Sequence, residues 1–594
     1  DNLLDETVTD PDVQSLTSAL LLGRRSNLDP AIVAAFQKTN LAHFISLSGM
    51  HVGILAGSLW ILLRTSQIPK RPRAVLCITL LVIYALIVPP RAATMRAVFL
   101  SCFFFASALL HRRTSPVNTL ALSAVVLLFA RPYDLFSAGW QLSFLSVLGI
   151  LVFYRPVQYH LMNRFFYPLI LLFKDRFMAI QHFLYDIIEL LAVGISAWIV
   201  IAPMLLYYFG RINPLSPLWT VLVLPAVLVI LYAGFAKIVL APLLPTLASL
   251  LGLILNMAAH LLEKAVVLLS KTDILQFASH RPGVLFICLL YLLLAVAFFL
   301  PYRYVRCRKL LLSLLLVCFL FPFISRKAER VNETTIKMTC LSVGHGQAII
   351  VSGPSGQHFL FDAGSITNQD IARKTIAPFL QHRSIFDLDA IYLSHGDLDH
   401  INAVPDIAAA VPVKHIFANS ALLENAKQPS LEQQLSTRLE ELGLRFEPIG
   451  DGTYDRLTIN SLWPPPDIAS DNSITENDRS EILLLNYAGR KILLCGDVEK
   501  PAQNQFLQMY PALKVDVMVL PHHGSTTNLN AVFIEQLDPE ILIASCSAKN
   551  IATIYRPVEN SNRDVFYTAV DGTVTVKIKA DGTLRAVGFL TINN

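Results

Sequence analysis

The chain has 594 residues, 54% hydrophobic and 15% charged, with a mean hydropathy of +0.53, a balance that excludes an ordinary soluble protein. Its formal net charge of +5 hides an asymmetry: 28 Lys+Arg stand against 13 Asp+Glu through residue 330, then 20 against 30, so a basic, apolar half precedes an acidic one. The eight cysteines are scattered without a CxxC pair, most of them inside apolar runs, which excludes a disulfide framework and a structural zinc knuckle.

Residues 1–40 read as a soluble lead-in, with an acidic opening and then "DVQSLTSALLLG" at helical spacing. The chain opens at Asp1 without methionine and without a basic-then-apolar signal pattern, so its true start is expected upstream. From Leu41 to Ser325 long apolar stretches alternate with short polar joints. Spans are expected near 41–63, 74–89, 92–110, 117–130, 138–154, 187–209, 217–239, 246–270, 283–300 and 310–325, about ten, several of them shorter than the roughly 20 residues that cross a bilayer core. The charge-broken stretch 156–186 suits a helix lying in the interface. Pro203, Pro214, Pro217 and Pro225 crowd one joint, where broken or kinked helices are expected.

Short cytoplasmic loops collect Lys and Arg. The basic joints are "RTSQIPKRPR" (64–73), "HRR" (111–113), the stretch from Arg155 to Arg176 and "YRYVRCRK" (302–309). With these spans all four fall on one side, which places the lead-in and everything after Ser325 outside the cytoplasm. Within the spans, His51, Arg96 and Gln141 stand out, with His43, Ser46, Ser48, Gly49 and Ser143 near them. Ionisable groups in lipid cost several kcal/mol unless they face a partner or a water-filled path. A conduit for a polymer with one phosphate per nucleotide would use such cations and hydroxyls, whereas Ser and Gly also serve plain helix packing.

After a linker at 326–333, the region 334–594 changes to short strands interleaved with amphipathic helices, the pattern of one α/β domain. Three of its strand ends carry metal-type side chains: His395, Asp397, Asp399 and His400 after "AIYLS", Asp497 after "KILLCG", and His522 and His523 after "VMVLP". Loops at the carboxyl ends of strands are where such sheets gather function. Imidazoles and carboxylates at three such ends can surround two divalent cations, which together activate water and clamp a phosphate oxygen. With no thiolate in the cluster, Zn²⁺ or Mn²⁺ suits the donors. Asp362 in "FLFDAG" is either a turn-former before Gly364 or a support behind the ligands.

"HGDLDH", "LLCGD" and "PHHGS", in this order, resemble the metallo-β-lactamase fold, with Asp397 at the second histidine of its HxHxDH signature. Together with "LSVGHGQA", "FDAG" and "ENDRS", they resemble the soluble domain of the ComEC family, the DNA-uptake channel of competent bacteria. The membrane half agrees: "HFISLSGMHVGIL" (43–55), "RAATMRA" (91–97), "GWQLSFLSVLGI" (139–150) and "APMLLYYFGRINPLSPLWTVLVLPAV" (202–227) are similar to that family's competence domain.

The resemblance implies a polytopic helical channel domain (41–325) followed by an αββα metallo-β-lactamase-like domain (334–594) in the bacterial inner membrane. It further implies uptake of one DNA strand, and a metal-dependent extracytoplasmic phosphodiesterase that degrades the other. Carried over, His395, Asp397, Asp399, His400 and Asp497 would be ligands of two divalent ions, with Asp497 bridging and Asp399 and Asp497 catalytic. His523 is the better histidine of its pair, with His522 also a candidate. A DNA-uptake receptor and a cytoplasmic ATPase would be partners, since no P-loop is present. The sequence departs from the family's usual "VGQGD" at Val343-Gly344-His345-Gly346-Gln347, from its paired glycines at Asn402 and Ala403, and from its His-Pro at Arg556-Pro557. The rival readings are a DNA channel with an inactive binding module and a membrane-anchored phosphoester hydrolase without transport.

Overall fold

The computed structural model describes residues 10–24, 28–45, 49–88, 92–110, 115–168, 178–272, 277–278, 281–332, 334–368, 370–426, 430–469, 474–556 and 563–591. The chain divides into two compact units, Asp1–Phe321 and Pro322–Asn594. Ser46 and Ser48, the "HRR" joint and much of the basic stretch before Arg176 lie outside the described residues.

The first unit is helical. Its helices are α1 (Pro11–Leu22), α2 (Pro30–Lys38), α3 (Gly49–Thr65), α4 (Lys70–Ile87), α5 (Ala92–Leu110), α6 (Pro116–Ala130), α7 (Ala138–Leu161), α8 (Met178–Phe209), α9 (Ser216–Leu240), α10 (Pro245–Ser270), α11 (Val284–Phe299) and α12 (Val305–Asn332). Among the described residues five helical stretches are long and apolar enough to cross a membrane: 138–166, 181–209, 216–240, 245–270 and 305–325. Five more apolar helices are shorter. The expectation of about ten spans is thus not confirmed among the described residues, where apolar stretches such as 116–130 form helices of only 15 residues.

Residues 169–177 of the expected interfacial helix at 156–186 lie outside the described residues. Its described parts extend α7, through a π-type turn at Met162–Phe166, and open α8. Pro203 and Pro225 sit inside continuous helices, and the expected linker is helical as far as Asn332.

The lead-in is not free. Val13, Leu16, Leu20 and Leu21 of α1 and Phe36 of α2 are fully buried against Val227, Ile230 and Leu231 of α9 and Leu255 and Leu262 of α10. A Cβ on Gly234 of α9 would stand 2.5 Å from the Leu21 side chain, so the small residue admits the leucine. Likewise α7 and α8 approach closely where Gly149 faces the Ser196 carbonyl.

The second unit holds two sheets, whose strands follow β1 (Arg211–Ile212) and β2 (Phe277–Ala278), a short pair of the first unit. The larger sheet runs β17 (Leu584–Gly588), β16 (Val574–Lys579), β3 (Thr335–Cys340), β4 (Ile349–Ser352), β5 (His358–Phe361), β6 (Leu388–Leu393), β7 (Val413–Ala418), β8 (Phe446–Pro448). The smaller runs β15 (Asp564–Tyr567), β14 (Ile541–Ala544), β13 (Val517–Val519), β12 (Arg490–Leu494), β11 (Ile482–Tyr487), β10 (Leu457–Trp463), β9 (Gly452–Tyr454). Successive strand residues point to opposite faces. Ile349 and Val351 of β4, with Leu483 and Leu485 of β11, therefore fill the core between the sheets. Ile350 turns outward under the helices over the larger sheet, and Ile482 and Leu484 under those over the smaller one. The result is helix, sheet, sheet, helix. Burial on both faces explains why these strands read as nearly unbroken apolar runs.

Glu481 is among the acids buried in this unit. It is 4% exposed, accepts from the Ser461 hydroxyl, and is pushed by burial from an ordinary 4.5 up to about 8. Folding therefore favours its protonated form: the stabilisation is full below about 4.5 and is lost as pH rises towards about 8. Glu481→Gln is expected to raise the unfolding midpoint of the full chain at pH 8 and to leave it nearly unchanged at pH 4.5. Equal midpoint changes at both pH values in detergent melts would contradict this assignment.

Candidate metal centre

β5 and β6 run parallel in the larger sheet, as do β12, β13 and β14 in the smaller. Their carboxyl ends feed the loops that carry Asp362, residues 394–400, Asp497 and residues 522–523. These loops are stapled backbone to backbone. Gln347 N–H donates to the Asp399 carbonyl at 3.0 Å, and Ala363 N–H to that of His400 at 2.6 Å. Gly364 is demanded by this contact, since a Cβ there would lie 2.3 Å from the Asp399–His400 peptide. His522 and His523 both adopt left-handed backbone, with φ of 47° and 56°, conformations that cost of order 1 kcal/mol or more for non-glycine residues.

Behind the loops sits Asp362, 1% exposed. Its carboxylate accepts from Ser394 N–H and Oγ, both at 2.8 Å, and from Gln347 Nε2 at 3.1 Å. It also pairs with His400 Nδ1 at 2.8 Å. Asp362 is thus both a turn residue, with φ of 55°, and the support of His400. Gln347 stands where the family pattern has an acid, and its amide donates where a second carboxylate would repel. Asn402, in place of a glycine, bridges both backbone groups of Ser365. Pro557 lies outside the described residues.

In front, two donor groups form. His395, His400 and Asp497 make the first, and His345, Asp399 and His523 the second, the donor atoms of each lying within 4.8 Å of one another. His400 Nε2 is 3.2 Å from Asp497 Oδ1. Asp497 turns its other oxygen, Oδ2, to His523 Nε2 at 3.7 Å and to His522 Nδ1 at 3.6 Å. His523 Nε2 is also 3.2 Å from Asp399 Oδ2. Asp497 therefore faces both groups. Asp397 sits at the rim, its side chain 49% exposed and 3.5 Å from His395 Nε2. His522 is more exposed than His523 and also lies 3.9 Å from Glu499.

Electrostatics separate these groups. Burial pushes the Asp399 carboxyl up, but His523 and His400 hold it down to about 2. Burial likewise opposes charge on Asp497 and His400, yet their mutual attraction, aided by His523 and Asp362, holds the carboxyl well below and the imidazole well above their usual ranges. The His395 hydrogen bond lowers Asp397. Burial, and then His523, lowers His345.

The residues fit divalent cations. His395 Nε2, His400 Nε2 and Asp497 Oδ1 are buried side by side, His400 Nε2 facing Asp497 Oδ1 at 3.2 Å and His395 Nε2 reaching Asp397 at 3.5 Å, lone-pair donors converging as a divalent cation requires. Imidazole and carboxylate donors without thiolate suit Zn²⁺ or Mn²⁺.

His345 is the residue that sequence reasoning passes over. It appears there only as a departure from a motif, because nothing local shows that residue 523 lies beside it. In the helical unit, His51 and Arg96 are buried. Gln141 is committed to the fold, donating to the Leu135 carbonyl at 2.8 Å and accepting from Tyr208 at 2.9 Å.

Residues 20–304 match the family model for competence protein, and 341–547 that for the metallo-β-lactamase superfamily. Three curated relatives span most of the chain. ComE operon protein 3 of Bacillus subtilis is 25% identical, covering 91% of this chain and 67% of its own. Recombination protein 2 of Haemophilus influenzae is 25% identical, covering 96% and 72%. Competence protein ComA of Neisseria gonorrhoeae is 26% identical, covering 90% and 70%.

Asp362→Ala should weaken divalent-cation binding about 10–100-fold, since it removes the support that orients His400. Competition of the full chain against a chromophoric chelator measures it. Unchanged affinity would remove Asp362 from the site.

Proposed function

We infer the function of this chain from the ComEC family of competence proteins, to which it belongs: it is an inner-membrane channel for uptake of single-stranded DNA, with a metal-dependent phosphodiesterase on its extracytoplasmic side. The observation that carries the hydrolase half is the pair of donor groups sharing Asp497, three of whose donor atoms are buried side by side. His395, Asp397 and His400 would hold one cation, Asp399 and His523 the other, and Asp497 both, with His522 in reserve beside Asp497. When bound, such a pair supplies Lewis-acid charge to phosphoryl oxygens and makes water a better nucleophile at neutral pH.

The chain's own residues prepare this chemistry. Asp362 engages Nδ1 of His400 and so leaves Nε2 to face Asp497. The Asp399 carboxyl, held at about 2, stays ionised at neutral pH. Two buried carboxylates repel a bare phosphodiester, so cation and substrate charge are matched only together. Because the region after residue 330 carries 20 Lys+Arg against 30 Asp+Glu, its grip on DNA is modest and salt-sensitive.

In the helical unit, Arg96 is 5% exposed, with Nε and Nη1 buried and without a hydrogen-bond partner among the described residues, which supports a role facing the DNA backbone. His51 is buried as well. The charge of the joints and the family precedent support an exterior hydrolase domain, with a receptor, a cytoplasmic ATPase and membrane lipid as partners.

Full-length protein in detergent, loaded with Mn²⁺ or Zn²⁺, should cleave labelled single-stranded DNA. Asp399→Ala/His400→Ala should lose about 100-fold or more of that rate, the order expected when charge stabilisation is removed. A double variant as active as the parent would overturn the hydrolase assignment. In cells, Arg96→Ala should insert normally yet import less labelled DNA, and unimpaired import would instead favour a hydrolase without transport.

A further inference from the structure

The geometry points to His345 as a ligand of the second cation, completing a set of two imidazoles and two carboxylates with His523, Asp399 and Asp497. This rests on the two-cation reading above and adds a residue to it.

His345 lies in the loop between β3 and β4, between Gly344 at φ +89° and Gly346 at φ +145°. Its backbone is held on both sides: its N–H donates to Thr367 Oγ1 at 2.8 Å, and its carbonyl accepts from Ile366 at 3.0 Å. The side chain is thereby aimed inward from a pinned loop. Nε2 comes within 3.7 Å of Asp399 Oδ2, the ring centroid lies 4.7 Å from that of His523, and the donor atoms of all three residues lie within 4.8 Å of each other.

Without His345 the second group offers one imidazole. With it, the group matches the first, in which His395 and His400 stand with Asp497 and, at the rim, Asp397. Two imidazoles select for Zn²⁺-like ions over Mg²⁺ or Ca²⁺, which prefer all-oxygen sets. The other ring nitrogen, Nδ1, lies 3.3 Å from the Asn550 amide nitrogen Nδ2, and the O and N of a carboxamide are interchanged by a simple flip. If that amide presents its oxygen, Nδ1–H donates to it and Nε2 keeps the lone pair a metal needs. A carboxamide in place of His345, as in the family's usual pattern, would offer the cation only a neutral oxygen.

The test is cation stoichiometry on the full chain in detergent, equilibrated with Zn²⁺, measured by elemental analysis and by competition with a chelator, with the Co²⁺ absorption spectrum as a second readout of nitrogen ligation. Wild type should bind two ions. His345→Ala and His345→Gln should keep one at parental affinity, lose the other by about 10–100-fold, and lose absorption from one Co²⁺ site, while the metal-free melts stay unchanged. Two ions at parental affinity and an unchanged Co²⁺ spectrum in both variants overturn the assignment of His345 alone. A wild-type chain that takes up one ion overturns it by removing the second position. A wild-type chain that takes up none sinks the metal reading of the whole centre.

Discussion

The interaction on which the centre depends is the buried carboxylate of Asp362. A charge taken out of water is tolerated only when its oxygens are fully bonded. Here the donors arrive from separate loops: Gln347 after β3, Ser394 by backbone and hydroxyl after β6, and His400 from the short helix Leu398–Ile401. Each donor satisfies Asp362 and is in turn fixed by it. Because His400 spends Nδ1 on this bond, its other nitrogen must face Asp497. The orientation of a candidate ligand thus follows from the hydrogen-bonding needs of a residue that touches nothing reactive.

The centre also spans two sheets. His345, Asp362 and the 395–400 loop hang from the larger sheet, whereas Asp497, His522 and His523 hang from the smaller. Their distances are therefore set by the apolar core between the sheets, by way of residues such as Val351, Phe361, Leu485 and Ile492. Cross-ties reinforce it at the site itself: Ser545 Oγ donates to the Gly346 carbonyl at 2.7 Å, and Glu481 N–H to that of Ser394 at 3.0 Å. A one-residue slip in any strand would turn core side chains outward and separate the donors, so packing and chemistry are under one constraint.

Much of this was legible in the amino-acid order because strand ends announce themselves: apolar runs stop at "HGDLDH", "GD" and "PHHGS", and parallel strands bring such ends to one edge. What stayed hidden depends on distant partners. His345 acquires meaning only beside His523, and α1 looks like an amphipathic surface helix until Leu21 meets Gly234. The expectation of about ten spans is not confirmed, for a different reason. Hydropathy measures apolarity, not helix length, and an apolar helix of 16 residues such as α11 gives the same signal as one long enough to cross a bilayer.

The helical unit shows the same economy at Arg96. Its guanidinium carbon lies 5.6 Å from the Phe144 ring of α7, and its Nη2 occupies the space that a Cβ on Gly49 would need, 2.9 Å away. Gly49 begins α3, whose N-terminus carries partial positive charge. A cation packed against that end gains nothing from the helix dipole, and its Nε and Nη1 find no acceptors among the described residues. Such a placement is costly in an apolar unit and is relieved by an anion reaching the same spot. Sterics and charge therefore couple "SGMHVGIL" to "RAATMRA": the glycine makes room for the arginine, and the arginine makes that room electropositive.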